Sequence, residues 1–489
     1  MMDSHNIDQE ALKSSLHDEI LDPEAFRRQL EPCEDVFEHT IAVGGSEGLR
    51  ARLFYCDGLI DSKLYHMSLL PLLENWPYPS DKPSTTFVDH PRKAFMRLES
   101  EQSAHLFARL FAGSVIITFS DDNSFYEYNI SNQPSRSLEE STMELSVKGP
   151  RDGFVEQLST NVALIRKRLR TPNLHIEYMK LGRESQTEIA LLHMPNYTPE
   201  GLVDEARRRL RLIDIPSLNG AGELEELLSD RPLALFPLLD YIGRPDFVVQ
   251  SLMKGRFAII VDGTPASLIG PGNLMLLIKS PEDAHLPFYF VTLERLLRLL
   301  GLILALLLPG FWIALSSYNT DQIPFTLLAT VTMARIGLPM SATMEMFLML
   351  TLFEVFREAG VRLPRPVGQT VSVVGGLIIG DAAIRAGMTS PTMLVVAAVA
   401  AVSTFTLVNQ SLAGSVTLMR IVILILASMF GMFGFFVGLF GLLLYICTLE
   451  SFGQSYLTPL APFRYKGLAA LIQLPWKFAD TSSSRRKKT

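Results

Sequence analysis

Residues 299–315 read LLGLILALLLPGFWIAL, a run with no charged side chain. At 1.5 Å per residue such a helix covers about 25 Å, most of a bilayer's hydrocarbon core. Arg295 and Arg298 stand just before it, and Trp312 and Tyr318 toward its far end, the flanks that headgroup level favours. The run reads as a membrane span and divides the chain. Before it lie about three hundred residues with charges spread throughout; after it apolar stretches dominate. The 489-residue composition, 48% hydrophobic and 19% charged, fits a polar part joined to an apolar one.

Several apolar stretches follow. The piece 324–336 is too short to span and meets a break at Gly337 and Pro339, so it reads as a half-helix or re-entrant segment. Arg335 at that break reads as a half-helix end or, preferably, a side chain snorkelling to the surface. The stretch 340–356 holds Glu345 and Glu354, 371–386 holds Asp381 and Arg385, and 393–408 carries no charge. The last, 421–447, has the length of one tilted span. Three arginines (Arg357, Arg362, Arg365) follow the second candidate, and the chain closes on Arg485, Arg486, Lys487 and Lys488. By the positive-inside rule both belong with the N-terminal region on the cytoplasmic side, which requires an even number of crossings. Omitting 371–386, where lipid burial of Asp381 and Arg385 is costly, leaves four.

The N-terminal region has an acidic start and no basic-then-apolar stretch, so no secretory signal is expected there. Its three cysteines, Cys33, Cys56 and Cys447 counted over the whole chain, lack metal-ligand or disulfide spacing and read as reduced. The net charge of −7 gives no reason to expect nucleic acid. Alternating strand and helix patterns predict an α/β (or α+β) fold: a strand at 49–56, a helix at 62–73, strands at 115–119 and 125–130, a helix over 154–169, strands at 174–181 and 188–193, and a helix over 199–212. The passages LFAGSVIITFSDDNSFYEYNI (110–130) and LMKGRFAIIVDGTPASL (252–268) share a helix end at glycine, an apolar strand and an acidic turn. Two related lobes are one reading; chance recurrence of a common pattern is the other, and unrelated strand orders would remove the first. The expected organisation is a polar arm (1–34), soluble lobes at 35–145 and 150–290, a helical multi-pass membrane domain with about four spans (295–450), and a basic cytoplasmic tail (451–489).

No catalytic constellation is present. The nine histidines form no HExxH, no serine sits in GxSxG, and Gly44-Gly45-Ser46-Glu47-Gly48 lacks the Lys-Ser/Thr of a phosphate loop. No enzyme activity, metal or cofactor is expected. The informative residues are charges within the apolar half. Asp381 and Arg385, four apart, share a helix face as either a packing bridge or a pore-lining pair. Glu345 and Glu354 are half a turn out of phase; Glu354 reads as surface, with Arg357 and Glu358, and Glu345 as the buried carboxylate. Gly376 and Gly380 form one GxxxG, and Gly431, Gly434, Gly438 and Gly441 read as a continuous packing seam on one helix face, within the subunit or between subunits.

Five passages carry a family resemblance: GPRDGFVEQLSTNVALIRKRLR (149–170), VDGTPASLIGP (261–271), SPEDAHLPFYF (280–290), FREAGVRLPRPVGQTVSVVGGLIIGDAAIRAGMTSP (356–391) and SFGQSYLTPLAPFR (451–464). With them the chain resembles the A subunits of the GerA family of spore germinant receptors over about two thirds of its length. The resemblance implies a subunit in the spore inner membrane beside a B-type membrane subunit and a C-type lipoprotein. It also implies a homo-oligomer that opens as a nutrient-gated ion channel. A paralogous accessory protein of the dipicolinate-release machinery and a secondary transporter are the alternatives. The transporter reading is disfavoured because the membrane segments show no inverted symmetry.

Overall fold

The computed structural model describes residues 22–45, 49–75, 95–98, 103–134, 148–199, 201–362, 380–461 and 472–473. The chain divides into two compact units, Met1–Leu228 with Tyr241–Pro271, and Ser229–Asp240 with Gly272–Thr489.

The first unit holds two five-stranded sheets. β1 (Val36–Ala42), β2 (Arg50–Cys56), β3 (Met96–Leu98), β4 (Ser114–Phe119) and β5 (Asp122–Asn129) lie in the order β1-β2-β4-β5-β3. β6 (His175–Leu181), β7 (Thr187–His193), β8 (Asp240–Ile242), β9 (Phe257–Val261) and β10 (Ser267–Gly270) lie in the order β6-β7-β9-β10-β8. The two orders correspond strand for strand. Both central strands, β4 and β9, are buried on both faces and read as unbroken apolar runs for that reason. Each follows a helix, α2 (Ser103–Leu110) or α6 (Pro245–Leu252), that ends at a left-handed glycine, Gly113 or Gly255. α1 (Pro23–Leu30) packs Phe26 against Phe54 and Phe125 of the first sheet and Phe107 of α2. The predicted helix over 154–169 is shorter, α3 (Leu158–Arg166). The acidic turn after β9 explains its start: Asp262 Oδ1 accepts the Leu158 N–H at 3.0 Å, and the Gly263 N–H donates to the Glu156 carbonyl. α4 (Leu202–Leu212) and α5 (Ala221–Leu228) complete the unit.

A pair of histidines is built into the second sheet. His175 on β6 sits directly across from His193 on β7, with ring centroids 5.2 Å apart. His193 is buried, its Nδ1 has no hydrogen-bond partner, and Glu177 lies 3.9 Å away but is engaged by Arg207. Burial, with His175 and Arg207 nearby, pushes the His193 imidazole down to about 4; Glu177 and Asp204 oppose this only in part. Burial lowers His175 as well. An unfolded histidine takes up its proton near pH 6.5, before the folded one does, so acid favours unfolding. Stability is expected to be full above about pH 6.5 and to fall by on the order of 3 kcal/mol as pH drops toward 4. In His193→Phe, thermal unfolding across that window should lose most of this dependence.

The second unit is helical. α7 (Phe288–Ser317) begins eleven residues before the apolar run that announces it. Its early arginines do not reach outward: Arg295 and Arg298 each bond Asp283 at 2.8 Å, and Arg295 and Asp283 are buried. Asp283 belongs to the SPED passage, whose Ser280 caps the short helix Pro281–Ala284. α8 (Phe325–Arg335), α9 (Ala342–Arg362), α10 (Pro391–Phe405) and α11 (Gln410–Cys447) follow. Two of these helices, α7 and α11, are long and apolar enough to cross a membrane by length and composition. Beyond α11, β11 (Glu450–Ser451) and β12 (Gln454–Ser455) form a tight hairpin. Ser451 Oγ donates to the Leu238 carbonyl at 2.6 Å, and Tyr456 is fully buried. The residues that open the predicted tail are therefore packed structure.

α11 is where local pattern and structure diverge most. It starts eleven residues before 421, where Asn409 Oδ1 caps it by accepting the Leu412 N–H while Asn409 Nδ2 donates to Asp240. It then breaks at Gly431, whose φ of 60° and ψ of −137° are far from helical and open to glycine alone at low cost. A Cβ placed on Gly438 would lie 3.2 Å from Ile423 Cγ1 and 3.5 Å from Ile423 Cα. In a straight helix those residues would be about 22 Å apart. The element is thus a hairpin of two antiparallel arms, 410–430 and 432–447. Tyr318, at the end of α7, covers the turn and donates its hydroxyl to the Ser428 carbonyl.

Candidate functional site: two charge clusters between helices

Glu345 stands in the first turn of α9, after Ser341, whose hydroxyl accepts the Met344 N–H. Its side chain is wholly buried, and Met346, Met349, Leu350, Met393 and Ala397 of the same two helices belong to one buried apolar cluster. Oε2 accepts both the N–H (3.0 Å) and the hydroxyl (3.1 Å) of Ser390, the N-cap of α10. The carboxylate therefore sits at the N-terminal ends of two helices, where peptide dipoles favour negative charge. Oε1 receives no hydrogen bond; its nearest cation is the Arg335 guanidinium, 3.4 Å away. Arg335 thus faces Glu345 rather than snorkelling to a surface, a pairing that sequence spacing cannot show because the Gly337 turn creates it.

The second cluster gathers Glu354 and Arg357 of α9 with Arg420 of α11. Glu354 pairs with Arg357, and its Oε2 lies 3.6 Å from Arg420. Arg420 donates to Thr404 at 3.4 Å, Arg357 to Thr417 at 3.4 Å, and the Arg420 Nε has no partner. Glu354, expected as a surface group, here leans on a guanidinium that is only 4% exposed. Arg420 lies one residue before the apolar stretch 421–447 and so falls outside the span that hydropathy delimits. The available signal was Asn409 as an N-cap, which puts Arg420 three turns inside the helix.

Asp381 and Arg385 pair at 2.7 Å as an i,i+4 couple, and both side chains are exposed. Among the glycines, Gly376 lies outside the described residues. Gly380 packs toward Leu394 of α10. Gly431 is the hairpin turn, Gly434 and Gly438 face Leu426 and Ile423 of the opposite arm, and Gly441 has nothing within 4 Å of where a Cβ would sit. The seam expected on one continuous face is thus broken at its first member. Gly434 and Gly438 serve the intrachain hairpin.

These features define a two-part protein: an amino-terminal unit of two antiparallel sheets, and a helical unit with a carboxylate, Glu345, and a guanidinium, Arg420, buried among apolar helices. Residues 24–485 match the family model described as Bacillus/Clostridium GerA spore germination protein, and the chain belongs to that family. It is 39% identical over 412 residues to Spore germination protein XA of Bacillus anthracis, covering 84% of each chain. It is 34% identical over 453 residues to Spore germination protein KA of Bacillus subtilis (strain 168), covering 92% of this chain and 83% of the relative. An uncharacterized membrane protein of Bacillus subtilis (strain 168), YfkQ, is 33% identical over 448 residues, covering 91% of this chain and 87% of that one. Among solved structures, the N-terminal domain of the A subunit of the Bacillus megaterium spore germinant receptor GerK3 matches at 26% identity with a TM-score of 0.38. That match covers 51% of this chain and 92% of the domain.

Proposed function

We propose that this chain is the A-type subunit of a nutrient germinant receptor in the spore inner membrane. Its helical unit would cross the bilayer several times and line an ion path shared among copies of itself. The observation that carries the reading is Glu345, fully buried between α9 and α10 with one oxygen lacking a hydrogen bond. A carboxylate enclosed among apolar helices is costly, and in membrane proteins such groups mark ion and substrate routes. Family membership supplies the germination context. The helix directions support the start of α7 and the end of α11 lying on one side of the membrane. α7 ends beside the Gly431 turn, so the second arm of α11 returns to the side from which α7 departs.

In this reading the amino-terminal unit is two related lobes that relay the signal, on the support of their matching strand orders. A B-type membrane subunit and a C-type lipoprotein complete the receptor, and the chain itself catalyses nothing. The test is Glu345→Gln in spores. Nutrient-triggered cation release should fall about tenfold or more, with subunit abundance unchanged. Release at the wild-type rate would reduce the helical unit to a scaffold.

A further inference from the structure

We infer that Arg335 is a tethered cation occupying, at Glu345, the seat of a free monovalent cation; the inference rests on the ion-path reading above and supplies its regulation. The carboxylate is the fixed partner. Two Ser390 donors, two helix N-termini and an apolar nest hold it in place. Its countercharge is held loosely. Arg335 is the last residue of an eleven-residue helix whose one buried side chain is Val331, and Phe325 at its other end is 84% exposed. Gly337 follows with a φ of +88° and no atom within 4 Å of where its Cβ would sit, so the backbone has room to swing there.

The pair itself is incomplete. The guanidinium stands 3.4 Å from Oε1 without a hydrogen bond, whereas the buried Arg295–Asp283 and Arg166–Asp35 pairs bond at 2.8 Å or less. Removing Arg335 would leave a buried carboxylate with oxygen donors around it: both Glu345 oxygens, Ser390 Oγ, and Thr392 Oγ1 at 3.4 Å from that hydroxyl. Hard alkali cations take such ligands. One carboxylate balances one charge, so a monovalent ion fits and a divalent ion would leave an uncompensated charge in the nest.

The experiment is thermal unfolding of the purified full chain in detergent, titrated with K⁺ or Rb⁺ against N-methylglucamine at constant ionic strength. Wild type should be nearly indifferent to cation identity. Arg335→Gln should be stabilised by K⁺, half-maximally at a concentration about tenfold or more below any wild-type response. Arg335→Gln/Glu345→Gln should lose that response. Equal behaviour of wild type and Arg335→Gln, or a response that survives in the double variant, overturns the inference. If Arg335→Gln does not fold, Arg335→Lys carries the test. Its compact ammonium holds Glu345 less well and should give an intermediate K⁺ response, and wild-type indifference there overturns the inference equally. Because binding is read on isolated protein, a failed conduction assay leaves this result standing, and a failed binding assay leaves conduction open to its own test.

Discussion

Replacing Arg166 with Met, or Asp35 with Asn, is expected to destabilise the sheet-rich unit by about 3–5 kcal/mol, enough to unfold it at ordinary temperatures. Both side chains are buried, Arg166 fully. The Arg166 Nε and one terminal nitrogen bond the two Asp35 oxygens at 2.8 and 2.6 Å, and the remaining donors reach the Thr171 and Leu174 carbonyls. The guanidinium also lies 4.3 Å from the Phe111 ring centroid. Burial alone would lower the Arg166 pKa, but Asp35 more than offsets it, so the net shift is upward and the guanidinium stays charged. Deleting either member strands the other charge away from water.

The location enlarges the effect. Asp35 immediately precedes β1 of the first sheet, while Arg166 ends α3 beside the second; the backbone between them joins through the Cys33–Ile176 bridge. The double variant Asp35→Leu/Arg166→Met should recover most of the loss, since neither charge is then orphaned. Scanning calorimetry of the full chain, with hydrogen exchange on peptides covering α3 and β6, distinguishes these outcomes. Single variants no less stable than the double would show that the pair does not join the lobes. The neighbouring thiols do not complicate the reading: burial pushes Cys33 up to about 11 and Cys56 well above the usual range, so both stay protonated and unreactive.

Gly434→Val should be nearly as damaging in the helical unit. A side chain there meets the Leu426 carbonyl of the opposite arm, which is backbone and cannot yield as a side chain would. The expected cost is about 3 kcal/mol or more, seen as loss of folded protein in detergent. Gly441→Ala, with open space around it, should stay within about 0.5 kcal/mol of wild type. A crosslink reads the geometry directly. Cysteines at Ile423 and Gly438 should form a disulfide in the hairpin, and Gly434→Val should abolish it; a straight helix holds those positions about 22 Å apart, far beyond disulfide reach.

The glycine spacing that reads as a seam illustrates why sequence alone misleads here. Gly434 and Gly438 fall on one face by count, and that much is right. Periodicity is blind to a single residue's φ, however, so one left-handed glycine turns a 38-residue helix into two arms and places the partner face of Gly434 and Gly438 within this chain. Arg335 ends a short helix, as one of its two sequence readings has it, but its pairing with Glu345 is invisible for the same reason. Its surroundings depend on where the chain goes after Gly337, not on its own neighbours.

What sequence determined by itself was whatever rests on local composition and short period. The apolar run 299–315, the strands β2, β4, β6 and β7, the acidic turns and the family-specific passages were legible because each residue's preference there agrees with its final surroundings. Only tertiary structure decided which charges meet. Asp35 and Arg166 are 131 residues apart, and Glu345 and Ser390 are 45 apart. Burial of an ion depends on the sum of everything packed around it, and no window along the chain contains that sum.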